Sequence, residues 1–201
     1  MSGPAEAVIS LYERNARRFD KDRLKILFEK GWLDRFLALS TPGDAILDIG
    51  CGSGEPMARY LIENRRRVTG VDSSVAMIAM CRERFPDHEW LVADMRSLAL
   101  GRRFGGLVAW DSFFHLTQDA QRRMFSIFAA HAAPQAPLMF TSGLELSESV
   151  GSYAGEPLYH ASLSTAEYRS LIEASGFEVV RQIEHDPECD RHCVWLARLR
   201  T

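Results

Sequence analysis

The residues best suited to chemistry crowd into one loop. Positions 48–56 read Asp48-Ile49-Gly50-Cys51-Gly52-Ser53-Gly54-Glu55-Pro56. Glycines at alternate positions let a backbone turn sharply and come close to a ligand. A dinucleotide fingerprint, G-x-G-x-x-G, seats a pyrophosphate on a helix N-terminus. Counted from Gly50, its third glycine falls on Glu55, whose carboxylate would repel the phosphates. The pattern present is G-x-G-x-G with Asp48 ahead of it. An acid there suits a ligand bearing an ammonium group.

Further acids follow at Asp72, just before Ser73, and at Asp94, just before Met95. A carboxylate has two oxygens and can take paired donors. Taken alone, each acid is also explained as a helix cap or a loop residue. Among groups able to move a proton, His115 in Trp110-Asp111-Ser112-Phe113-Phe114-His115 is the first candidate, because imidazole titrates near neutral pH. A locally bonded histidine at a helix start is the competing reading. Tyr159 and His160 form a second candidate pair, which either lines an acceptor pocket or anchors its loop. Tyr12 and Phe19 either close a pocket from the N-terminal side or simply pack. His185, Cys189, His192 and Cys193 are zinc-binding residue types. Their spacing forms no two separated chelating pairs, so no metal is expected there.

The loop must sit on elements that hold it. Ala45 to Ile49 is a short apolar run ending in glycines, which reads as a buried strand. Arg67–Val71, Trp90–Val92, Leu107–Trp110 and Pro137–Phe140 read as four more. Helices are expected over 55–64, after Ser73 or Ser74, and from Thr117 with Met124, Phe125 and Phe128 on one face. That alternation calls for right-handed crossovers and a parallel sheet covered on both faces. Residues 143–162, with Gly143, Gly151, Gly155 and Pro157, show no period and read as an irregular insertion. Ser164-Thr165-Ala166-Glu167 fits a capping box opening another helix. Phe177–Ile183 and Cys193–Leu199 lack room for a crossover between them and are expected to pair antiparallel. The fold class is therefore α/β, doubly wound, with a mostly parallel seven-stranded sheet and an antiparallel terminal hairpin.

Residues 1–40 read as a helical cap before a core of 41–201. Ala5, Val8, Ile9, Tyr12, Ala16 and Phe19 mark one amphipathic helix. Leu24, Leu27, Phe28, Trp32, Phe36 and Leu37 mark a second, with Asp20 or Asp22 as its cap. The chain has 201 residues, enough for one well-buried core. Its net charge of −3 lacks the basic excess of a phosphate-gripping nucleic-acid binder. No apolar run approaches the ~20 residues of a membrane span, and no secretory signal is visible. Four cysteines without such a signal fit free thiols in a cytoplasmic protein.

Together, Asp48-Ile49-Gly50-Cys51-Gly52-Ser53-Gly54, Asp72, Ala93-Asp94-Met95 and the terminal hairpin resemble the class I S-adenosylmethionine-dependent methyltransferases, of the small-molecule type. The likeness covers about residues 44–199 and implies a Rossmann-like methyltransferase fold. It implies that Gly50, Cys51, Gly52 and Gly54 bend around the methionine portion of S-adenosylmethionine, with Asp48 near its amino group. Asp72 would take the ribose hydroxyls, with Ser73 beside it. Asp94 would take the adenine amino group and Met95 the ring edge. Trp110 would offer its carbonyl to the cofactor amino group, and Arg18 its guanidinium to the carboxylate, in competition with Arg14 and Arg17. Catechol-type members carry an acid after strand four, where Asp111 stands, and an Asp-Asn pair after strand five. Thr141-Ser142-Gly143 occupies the latter place, so no divalent ion is expected. The Asp-Pro-Pro-aromatic and Pro-Cys motifs of nucleic-acid methyltransferases are absent too. The expectation is methyl transfer to oxygen or nitrogen of a small molecule, leaving S-adenosylhomocysteine. The alternatives are a dinucleotide-dependent oxidoreductase and a non-catalytic binding module for the same cofactor.

Overall fold

The computed structural model describes residues 3–23 and 25–201. Leu24, placed above in the second amphipathic set, lies outside them. Five strands pair in parallel: β1 (Ala45–Ile49), β2 (Arg67–Asp72), β3 (Glu89–Val92), β4 (Gly106–Ala109) and β5 (Pro137–Ser142). β8 (Phe177–Asp186) and β9 (His192–Leu199) complete the sheet in the order β3-β2-β1-β4-β5-β9-β8. β9 runs antiparallel to both β5 and β8, as the short connection requires. The sheet reverses direction of growth between β1 and β4. The crevice beyond their carboxyl ends is where open α/β sheets take ligands.

Helices cover both faces. α5 (Gln118–His131) and α6 (Thr165–Ala174) enclose an aromatic layer of Phe113, Phe125, Phe128, Phe140, Tyr168 and Trp195. On the other face α2 (Lys30–Leu39), α3 (Met57–Glu63) and α4 (Val75–Arg84) pack through Trp32, Phe36, Leu61 and Ile78. α1 (Pro4–Asp22) buries Val8 and Leu11 against Leu158, Tyr159 and Ala161. Ser74 caps α4 by accepting the Met77 N–H, Thr117 caps α5, and Ser164 caps α6. Only a short 3₁₀ turn, Met95–Ser97, stands between β3 and β4.

Three expectations need correction. Residues 143–162 are not irregular: β6 (Ser147–Tyr153) and β7 (Glu156–Ser162) form an antiparallel hairpin turning at Ala154-Gly155. β6 is exposed through nearly its whole length, so no buried alternation marks it in the sequence. The second helix starts at Lys30, and Leu27 and Phe28 pack from the connecting loop. Its N-cap is Glu29, while Asp20 and Asp22 lie inside α1. The third helix is shorter than 55–64, because Pro56 is its N-cap and not part of its first turn.

Candidate active site

A cavity of about 280 Å³ opens at the carboxyl ends of β1, β2 and β4, beneath α1. Gly50 and Gly52 form part of its wall. Gly50 has φ +75°, and a Cβ built there would lie 2.3 Å from Cβ of Ser112. The loop can lie so close to the turn after β4 only because this residue has no side chain. The N–H groups of Gly50 and Cys51 both donate to the Val71 carbonyl, which hangs the loop on β2.

Asp72 organises the next piece of wall. Its Oδ2 accepts the Gly52 N–H at 3.0 Å and its Oδ1 accepts the Ser74 N–H at 2.8 Å. One carboxylate thus joins the glycine loop to the start of α4. Burial pushes its pKa up, while these bonds act against that rise. Ser73 reaches the Ala93 carbonyl at 3.3 Å, linking the ends of β2 and β3. Asp94 is gripped by the Arg96 guanidinium, which holds its carboxyl below the usual range. Asp72, Ser73, Ala93, Asp94 and Met95 all line the cavity.

α1 is fastened across this opening at three points. Glu13 accepts from Ser74 Oγ and the Ala76 N–H, at the exposed start of α4. Asp20 accepts from Ser53 Oγ and pairs with Arg84. Arg23, just past the helix end, pairs with Asp111. Between these points Tyr12 and Phe19 line the cavity, stacked edge to face with centroids 5.3 Å apart.

The Tyr12 hydroxyl lies 3.0 Å from Nε2 of His115, which also lines the cavity. Nδ1 of His115 lies 2.9 Å from the Tyr159 carbonyl. A carbonyl only accepts, so Nδ1 is assigned the proton and Nε2 accepts from Tyr12. Burial lowers the His115 pKa to about 4 and raises that of Tyr12. The pair is neutral throughout the physiological range.

Other expected residues stand elsewhere. Asp48 is buried beneath the loop, with no hydrogen-bond partner for Oδ2. Burial and the nearby Asp72 push its pKa up to about 7. Cys51 and Gly54 lie behind the wall, Cys51 against the Gly52 carbonyl and Gly54 against the Phe85 ring. The Trp110 side chain turns into the opposite face and stacks on His192. Arg18 does not line the cavity: it pairs with Asp22 and lies over the Tyr153 ring. Tyr159 contributes its carbonyl, while its side chain packs with Val8 and Leu11. His160 stands behind His115, ring centroids 4.8 Å apart, and does not line the cavity.

Sequence reasoning missed the grouping of Arg23, Glu29 and His192 around Asp111, since no spacing rule joins polar residues so far apart. Among the described residues, no group of three or more His, Cys, Asp or Glu is arranged to hold a metal ion. No described helix is long and apolar enough to cross a membrane.

Residues 46–135 match the family model described as a methyltransferase domain. A dTDP-3-amino-3,6-dideoxy-α-D-glucopyranose N,N-dimethyltransferase of Streptomyces fradiae is 36% identical over 92 residues, which are 45% of this chain and 36% of the relative. A malonyl-[acyl-carrier protein] O-methyltransferase of Serratia marcescens is 26% identical over 89% of this chain and 71% of its own length. The chain thus spans little more than a third of the sugar methyltransferase. Among solved structures, CalS10, an amino pentose methyltransferase from Micromonospora echinaspora bound to SAM, superposes with a TM-score of 0.71 at 19% identity. That match covers 95% of this chain and 97% of the other. Residues 46–135 of this chain are thus similar to a methyltransferase domain, and the fold is one shared with solved methyltransferases.

Proposed function

We propose that this protein transfers a methyl group from S-adenosylmethionine to oxygen or nitrogen of a small-molecule acceptor. The observation that carries the reading is one cavity lined together by Gly50, Gly52, Asp72, Ser73, Asp94 and Met95. The donor carries a sulfonium and an ammonium, and the site suits cations. Asp48 is a buried acid with an unpartnered oxygen just beneath the loop. Asp72 presents a second carboxylate at the wall. In this reading Asp72 takes the ribose hydroxyls, Asp94 and Met95 hold the adenine, and the Trp110 carbonyl meets the amino group. Arg18 would serve the cofactor carboxylate only after releasing Asp22. The dinucleotide alternative finds no support in the matched relatives, which are methyltransferases.

When bound, the donor supplies an activated methyl that a nucleophile displaces in line from a neutral thioether. What the chain itself contributes is placement and water exclusion. Tyr12 and Phe19 close the cavity from α1. The Tyr12 hydroxyl and His115 Nε2 share one proton at the wall, where an acceptor N–H or O–H can pass its own proton to the Tyr12 oxygen as His115 receives that of Tyr12. His160 and Tyr159 support this pair from behind. Residues 1–40 act as the cap on a core of 41–201. The four free cysteines support a place in the reducing cytosol.

The test is calorimetric titration with S-adenosylmethionine and S-adenosylhomocysteine, followed by a methyl-transfer screen over amines, phenols and carboxylic acids. Binding of both with transfer to one acceptor class is expected. Absence of binding would discard the reading. Binding without transfer across the whole screen would favour a module that only holds the cofactor.

A further inference from the structure

Behind the cavity wall lies a charged network that the proposed reaction does not use. Asp111 lines the cavity just past β4 and has φ +47°, a left-handed conformation that side chains other than glycine disfavour. Contacts from three distant elements hold it there. Its N–H donates to Thr141 Oγ1 on β5 at 2.9 Å. Arg23, past the end of α1, donates to Oδ2 at 3.1 Å. Nε2 of His192, at the start of β9, lies 2.9 Å from Oδ1.

His192 is itself fixed on every side. Nδ1 lies 2.8 Å from the Cys189 carbonyl, and the Trp110 ring stacks on the imidazole at 5.7 Å. With a carbonyl at one nitrogen and a carboxylate at the other, both nitrogens donate, so the ring is an imidazolium. The Asp111 bond raises its pKa to about 9. The other groups facing this cluster are Arg23, the fully buried Glu29, and Cys189 and Asp190 on the turn before β9. Burial pushes the Cys189 thiol up to about 12 and raises Glu29.

Position 111 matters because of its neighbour. Ser112 Oγ donates to the Ile49 carbonyl at 2.8 Å, and Ser112 Cβ fills the space that a side chain on Gly50 would need. The turn at Asp111 therefore sets the surface on which the glycine loop rests.

We infer that His192 is a positioning residue: with Arg23 it holds the Asp111 carboxylate, and through that turn it fixes Ser112 and the Gly50 wall of the cofactor cavity. The inference rests on the cofactor reading above.

The experiment is calorimetric titration of S-adenosylhomocysteine between pH 6 and 10 for the parent, His192→Leu, His192→Gln, Asp111→Asn and the Asp111→Asn/His192→Leu double variant. Affinities are read relative to the double variant, so that the ammonium of S-adenosylhomocysteine, which titrates in the same range, cancels. On that footing parent affinity is expected to fall about tenfold as pH rises through 9, the loss expected of a hydrogen bond to a charged group. His192→Leu is expected to bind about tenfold more weakly at pH 7.5 and to show no further fall through pH 9. Gln keeps an N–H donor, so His192→Gln is expected to recover most of the affinity and lose the pH dependence. The double variant is expected to be no weaker than the weaker single one. A folded His192→Leu variant with parent affinity would overturn the inference. So would a His192→Gln variant that kept the parent's fall near pH 9, and this arm stands even if the Leu variant does not fold. A parent that binds no S-adenosylhomocysteine at all removes the cofactor reading itself, and the inference with it.

Discussion

The Tyr12 hydroxyl of α1 and Nε2 of His115 on the core meet at 3.0 Å inside the cavity. This contact joins α1 to the proposed proton acceptor. If the two act as a unit, Tyr12→Phe and His115→Ala should each lower kcat roughly a hundredfold, a usual contribution of positioned acid–base groups. The double variant should lose little more than either single one. S-adenosylhomocysteine affinity should hardly change. Full turnover in Tyr12→Phe would leave His115 idle and positioning as the whole mechanism.

His115 also predicts an acid limit to stability. Its pKa is depressed from 6.5 to about 4. The unfolded chain therefore takes up the proton first as pH falls. The contribution is complete above about pH 6.5 and is lost progressively toward pH 4. Thermal unfolding measured from pH 7 to pH 4.5 should show this decline, and His115→Gln should flatten it. The kcat profile should lack an acid limb near the ordinary histidine value.

Asp72 holds backbone as well as its proposed ligand, which separates two substitutions. Asp72→Asn keeps one oxygen for the Gly52 or Ser74 N–H, whereas Asp72→Ala releases both. The Ala variant should bind S-adenosylhomocysteine more weakly by about 1–3 kcal/mol. The Asn variant should fall between it and the parent. Equal affinity in all three proteins, read by calorimetry, would withdraw the ribose contact.

Gly50 allows a test of the close approach. Gly50→Ala would place a methyl 2.3 Å from Cβ of Ser112 and force a side chain to φ +75°. It should abolish S-adenosylhomocysteine binding and lower stability by at least about 1–2 kcal/mol from backbone strain alone. Adding Ser112→Gly should restore part of the stability, because it removes the collision and leaves the strain. Chemical denaturation of the three proteins checks the order.

Asp48 carries the opposite sign from an ordinary buried carboxylate pair. Its folded pKa is raised from 3.8 to about 7. The unfolded chain loses its proton first, so stability falls as pH rises across that window. Asp48→Asn should therefore melt higher than the parent at pH 8 and close to it at pH 4. A variant less stable than the parent at pH 8 would show that the charged form is already compensated.

The parts legible in the sequence were those with a spacing rule. The β1 run ending in Gly50, the acids closing β2 and β3, and the capping serines and threonine follow from period and turn chemistry. The β6–β7 hairpin was not legible. Ser147 to Tyr153 faces solvent and carries almost no apolar signal, and its structure comes from pairing with β7. Leu27 and Phe28 continue a helical spacing, yet the chain there is drawn into a loop that brings Arg23 to Asp111 and buries Glu29. Arg18 had the charge for a carboxylate, but its i,i+4 partner Asp22 takes it. For the hairpin and for the loop before α2, tertiary contact overrode a local rule, whereas Arg18 is held by a contact within its own helix.

The fastening of α1 by Glu13, Asp20 and Arg23 to three separate parts of the core has a kinetic consequence. A helix held at three points moves as one piece rather than by one side chain turning aside. If the proposed donor enters beneath this helix, its uptake is expected to proceed in two stages, lifting of α1 and then binding. At high ligand concentration the stopped-flow entry rate should level off at the opening frequency, and any substitution that unhooks one end should raise that ceiling.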